Sequence, residues 1–172
     1  NEAERLLQHR QKHSNIKGVI VDVDHIYNEF GCGSKDPTAI RDFLRMLYLR
    51  NPQFRYVTLL GAASYDFRYL NTKIKDQNLV STYETSESLD PINSFPTDDY
   101  FGLLDENEGE NLAGLLDLSI GRILARTQEE ARAEMHNLFN VLSGKFSQMK
   151  YCSQPMLSMV MKSDHPLDAA GA

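Results

Sequence analysis

The chain has 172 residues, of which 41% are hydrophobic and 24% charged, and its net charge is -6. That is enough for one domain with a real core, and too apolar for a disordered chain. The acidic balance, without a Lys/Arg block or basic–aromatic interleaving, argues against a nucleic-acid surface and against an anionic membrane; no apolar run approaches the roughly 20 residues of a membrane-spanning helix.

Residues 2–13 read as a helix with a short apolar stripe of Ala3, Leu6 and Leu7. The opening Asn1-Glu2-Ala3-Glu4-Arg5 is not a signal peptide, and with no initial Met an excised or incomplete piece is expected. Residues 16–23 cluster Val19, Ile20, Val21 and Val23, the pattern of a buried strand. The stretch from Asn28 to Pro37 holds Gly31 and Gly33 and reads as a loop. Asp36 before Pro37 predicts an N-cap and a first helical position. The helix should run over about 37–50 with Ile40, Phe43, Leu44 and Leu47 on one face, ending at Asn51-Pro52.

Residues 55–61 predict a second buried strand closed by Gly61. The connection between the strands is long enough for a βαβ crossover, which implies a parallel sheet. Loops are expected over 62–78 and 85–98, with a short strand over 79–83 between them. The apolar segments 100–104 and 114–121 flank the acidic stretch 105–110 and predict a β-ribbon with a solvated turn. Thr127 and Glu130 form a capping box for a helix running to about residue 143 through Ala131, Met135, Leu138 and Phe139. From Gly144 onward the pattern weakens.

Several side chains invite a chemical reading. Cys32 and His25 follow the end of a strand, where open α/β sheets carry their ligands, and a thiolate nucleophile needs a base in reach. The plain alternative, a loop thiol and a surface imidazole, is preferred. Cys32 and Cys152 have no zinc spacing and do not make a disulfide scaffold. Asp98 and Asp99 are adjacent and should point to opposite faces, as a capped, solvated loop edge. Counting from Asp105, Gly109 is fifth and Leu116 twelfth, so the EF-hand pattern fails. A looser calcium site is compatible with the acidic stretch; otherwise no cofactor and no metal is expected. Gly61-Ala62-Ala63-Ser64 lacks the spacing and Lys of a phosphate loop.

Three blocks carry a family resemblance. They are Val21-Asp22-Val23 with Ile26–Phe30 and Asp36–Phe43; Tyr56–Gly61 with Ser64-Tyr65-Asp66; and Thr97–Asp105 continuing to Asp117–Arg122. In order and spacing they resemble the N-terminal half of the gingipain family of cysteine peptidases, closest to its PorU-type sortases, over residues 16 to about 135. The resemblance implies an α/β fold: a caspase-like, mainly parallel sheet flanked by helices, here incomplete and with the added β-ribbon. It implies a division into 1–143, the half domain, and 144–172, a divergent tail.

The resemblance also implies a parent activity: a cell-surface endopeptidase or sortase of Bacteroidetes that removes C-terminal secretion signals from type IX cargo at the outer membrane. Its partners would be those protein substrates and other type IX secretion components. Asp117 falls where the family holds the acid that orients the catalytic His; the alternative is an outward-facing acid on an alternating strand. The family's His and Cys lie beyond this segment, so the chain by itself is expected to lack catalysis, with a non-catalytic scaffold or interaction domain as the alternative.

The chain departs from the family in having Gly61-Ala62-Ala63 before Ser64 where Gly-Asp-Gly is usual, Cys32 where Ser is usual, His25 where a non-titrating polar residue is usual, and no Trp. A half-sheet with an open edge should aggregate or dimerise.

Overall fold

Apolar crowding in some segments and a helical apolar stripe in others set up a sheet covered by helices. The computed structural model describes residues 1–65, 70, 78–85, 94–109, 112–145 and 157–162, without the side chains of 141–145 and, within 157–162, with that of Met161 alone. Asp66, Glu110, Cys152, much of the loops expected at 62–78 and 85–98, and the remainder of 144–172 lie outside the described residues.

The first helix, α1, spans Glu2–Ser14; the Asn1 side chain accepts from the Ala3 N–H, and Asn15 ends the helix in the left-handed region. Strand β1 is Lys17–Asp22. No loop follows it directly. Asp22 turns the chain straight into α2, Val23–Phe30, its Oδ1 accepting from the Asp24 N–H at 3.0 Å. Val23, Ile26 and Tyr27, at i, i+3 and i+4, bury the inner face of this helix. The expected loop therefore begins only at Gly31, where an added Cβ would lie 2.7 Å from the Ser34 carbonyl oxygen.

Helix α3 is Pro37–Arg50, with Asp36 accepting from the Thr38 N–H at 2.8 Å and Pro37 in the first turn, as expected. Its Ile40 and Leu44 have no exposed surface. Strand β2 is Phe54–Leu60. The two segments expected to pair as a ribbon do not pair with each other. Asp99–Gly102 is a 3₁₀ turn, and Ser119–Ile123, which we label β5, joins the main sheet. The antiparallel ribbon is instead made by β3, Tyr83–Glu84, and β4, Pro96–Thr97. Helix α4, Gln128–Lys145, starts as Thr127 predicts: its Oγ1 accepts from the Glu130 N–H at 3.1 Å, while Glu130 accepts from the Arg126 N–H at 2.7 Å.

A last strand, β6, is Leu157–Lys162, within the stretch where the sequence pattern had weakened. The main sheet has the order β1-β6-β2-β5, and every neighbouring pair in it is parallel. Alternation along the strands divides the core into two. On one face Val57, Leu59 and Met161 pack with Val23, Ile26, Ile40 and Leu44 from α2 and α3, and with Phe101, Leu104 and Leu118. On the other, Ile20, Leu60 and Ile123 pack under Ala3, Leu6 and Met135 from α1 and α4. Each fully buried Leu or Ile side chain contributes about 1.5–3 kcal/mol by leaving water.

Candidate functional site

In a parallel sheet the carboxyl ends of the strands are where loops gather polar groups. Here those ends bring Asp22, Gly61 and Arg122 to one edge. Arg122 is the charged residue of β5, set between Gly121 and Ile123, and its side chain is only 9% exposed. Such a group must find partners. Nε and Nη2 donate to Asp98 at 2.7 Å each, Nη1 to the carbonyls of Gly61 at 2.9 Å and Val80 at 2.7 Å, and Nη2 to that of Ser81 at 3.0 Å. All five guanidinium N–H groups thus have an acceptor.

Most groups around this clamp are also tied within the chain, the exception being the buried Asn78 Nδ2, which has no hydrogen-bond partner among the described residues. The Tyr27 hydroxyl, buried on α2, lies 2.7 Å from Ser81 Oγ and accepts from the Ser81 N–H at 3.1 Å. Burial pushes the Tyr27 phenol above its usual range, with the Ser81 bonds opposing that rise. Asn78, 1% exposed, accepts from the Ser64 N–H at 3.3 Å. Gly61 has φ +149°, and a Cβ there would sit 3.0 Å from that of Leu79. The edge is therefore a tied polar frame joining the end of β2, the segment 78–82 and the turn at Asp98.

Asp98 is not the solvated acid expected. It is half-buried against Arg122 and also accepts from Thr82 Oγ1 at 3.0 Å, whereas Asp99 is exposed. The opposite-face expectation does not apply here, because the backbone at Asp98 is helical (φ -96°, ψ -7°) and Asp99 opens the 3₁₀ turn. The legible signal for the pair was Arg122 itself, a charge inside a strand pattern; its partner, 24 residues earlier, has no spacing rule to reveal it.

His25 and Cys32 are both exposed and sit toward opposite ends of α2. From His25 to the end of that helix is about 7 Å along the axis, and Cys32 lies two residues further, at φ 51°. The fold does not bring them together as a nucleophile and base.

Asp117 lies two residues before β5, toward the opposite, amino edge of the sheet. Its Oδ1 accepts from the Tyr48 hydroxyl at 3.0 Å and its Oδ2 from the Leu104 N–H at 3.1 Å, while its own N–H donates to Gly102 at 2.8 Å. Donation to Asp117, then the carboxylate's charge, raises the Tyr48 phenol above its ordinary value. The acidic stretch beside it is a loop drawn onto α3, not a hairpin tip. Arg41 donates to the carbonyls of Leu103 at 2.7 Å and Glu108 at 2.9 Å and lies over the Tyr100 ring. Carboxylate oxygens of Asp105, Glu108 and Asp117 come within 4.8 Å of one another. Glu108 accepts from the N–H groups of Asp105 and Leu115, so these acids also tie their own loop.

Among the described residues no helix is long and apolar enough to cross a membrane. The family profile described as peptidase family C25 matches residues 1–159. Neither the curated proteins nor the solved structures contain a significant match to the chain.

Proposed function

The chain belongs to peptidase family C25, the gingipain family, and from that premise we propose that it is the framing part of a sortase-type cysteine endopeptidase that cuts C-terminal secretion signals from cargo, without catalysis of its own. The observation that carries this is the state of the carboxyl edge. Its buried cation among the described residues, Arg122, has every donor engaged within the chain, and the described Cys32 and His25 stand apart. Such an edge holds neighbouring chain in place; it does not offer an activated thiolate.

In the whole enzyme a thiolate would attack the scissile carbonyl and expel the amine of the signal segment. The resulting thioester would be captured by water or by a glycan amine. Type IX secretion components as partners, a place on the outer-membrane surface of Bacteroidetes and the boundary at residue 143 belong to the same proposal. Asp117 is the acid this proposal assigns to orienting a histidine, which must then approach the amino edge of the sheet rather than the Arg122 clamp. Each of its oxygens keeps a second lone pair beside the Tyr48 and Leu104 bonds, so an imidazole N–H can still be accepted.

A thiol-reactive peptidyl probe tests the lack of catalysis. We expect Cys32 to label no faster than a free thiol peptide. Rapid labelling that His25→Ala abolishes would overturn the proposal. The scaffold alternative rests on the same clamp and is favoured if the full-length protein binds cargo without cleaving it; unchanged cleavage with Asp117→Asn would instead remove Asp117 from the catalytic set.

A further inference from the structure

Where α1 crosses α4, the rings of His9 and Phe139 lie with centroids 4.8 Å apart. One turn further along α1, the His13 ring stacks on His9 at 4.4 Å. The other side of the contact carries Arg5, its guanidinium carbon 5.5 Å from the centre of the Phe139 ring. His9 Nδ1 is shielded from solvent and has no hydrogen-bond partner among the described residues. A neutral imidazole tolerates that position with its proton on Nε2, leaving Nδ1 as an unmet acceptor. A protonated one does not, because it must then bury an N–H donor without an acceptor.

The charges near His9 point the same way. Desolvation first, then His13, Arg10 and Lys12, depress its basicity, and none of these is a carboxylate. The titratable groups on α4 ahead of the contact are Glu129, Glu130, Arg132, Glu134 and His136; Arg132 faces Glu2 at 3.9 Å, and Glu130 is tied to the Arg126 N–H. Strand β1, beneath α1, offers Lys17, which is exposed, and Asp22, which caps α2. The acids of α1 are Glu2, held by Arg5, and Glu4, held by the amino terminus.

We propose that the α1–α4 contact is an acid-sensitive latch, in which a proton on His9 loosens the first helix from α4 and uncovers the apolar seat formed by Ala3, Leu6 and Met135. The sign follows from linkage. The folded state binds the proton less readily than the unfolded chain, so the contact is at full strength above the ordinary imidazole value. It weakens as pH falls from there toward the depressed value in the folded chain.

Two measurements on the full chain test this. By NMR, the His9 ring should titrate below a free imidazole. Amide exchange, corrected for intrinsic rate, should show α1 losing about threefold or more protection between pH 7.5 and 5.5 relative to β2. In His9→Leu, which keeps an apolar contact on Phe139, that extra loss should vanish. A His9 ring titrating at or above the ordinary value overturns the latch, as does the same α1 loss in His9→Leu. Should His9→Leu fail to fold, the wild-type ring titration and exchange decide the matter between them.

Discussion

The Arg122 guanidinium and the Asp98 carboxylate meet side by side, Nε on Oδ2 and Nη2 on Oδ1, both at 2.7 Å. The pair would be weak on an open surface. Here the guanidinium is 9% and the carboxylate 22% exposed, and three backbone carbonyls complete the arginine's shell.

Arg122→Ala leaves Asp98 without its counter-ion and three carbonyls without their donor. Breaking such a pair should destabilise the chain by about 3 kcal/mol. Arg122→Lys restores the charge but not the planar fork, and should recover less than about half of that loss. Urea denaturation checks both; a loss below about 1 kcal/mol for the alanine variant would mean that water replaces the clamp.

Gly61 stands at φ +149° with Leu79 and Val80 against it. Gly61→Ala should cost about 2 kcal/mol, from backbone strain and displaced neighbours together. The comparison is Gly121→Ala, on an exposed strand position where a Cβ meets nothing within 4 Å; its effect should stay within about 0.5 kcal/mol. Thermal melts of the two variants separate the cases.

Tyr48 should ionise above an ordinary phenol because it donates to Asp117. Its folded value is raised, so the bond's contribution is complete below about pH 10 and is lost as pH climbs through the higher folded value. In Asp117→Asn the Tyr48 phenol should move back toward the free value. Ultraviolet phenolate titration of Tyr48→Phe, Asp117→Asn and the parent chain identifies the band, and no change in Asp117→Asn would show that the bond does not form.

Asp36 caps α3 with one bond to the Thr38 N–H. Asp36→Ala should cost about 1 kcal/mol, and Asp36→Ser or Asn should recover most of it. Chemical denaturation of the three variants is sufficient; equal stability of all three would remove the cap from the account.

How much of this could be read beforehand depended on whether the information was local. Helix α3 was legible to the residue, because Asp36, Pro37 and Asn51 punctuate its ends and Ile40, Leu44 and Leu47 mark its inner face. Strands β1 and β2 announced themselves by their β-branched and apolar runs. Helix α2 was hidden: it has eight residues, is capped by the last strand residue and includes Val23, Ile26 and Tyr27, which favour strands in isolation. Packing on α3 decides its form.

The ribbon was misplaced for a related reason. The segments 100–104 and 114–121 are apolar enough to pair, but β2 offers a longer parallel partner to Ser119–Ile123. At the site, strand alternation was the wrong guide to Asp98 and Asp99, because the chain turns into a 3₁₀ helix there. The bond between Asp98 and Arg122, like that between Tyr48 and Asp117, joins side chains distant in sequence and belongs to the tertiary fold alone.

The placement of β6 between β1 and β2 bears on how the protein is made. Synthesis delivers β1 and β2 early and their shared neighbour about a hundred residues later. Until Leu157–Lys162 emerges, the facing edges of the two strands have hydrogen-bonding groups without partners. The nascent chain must keep that slot open against wrong strands, and its central pairing is all long-range, a topology that folds slowly. Substitutions that weaken β6 should therefore lower the yield of folded chain more than its final stability suggests.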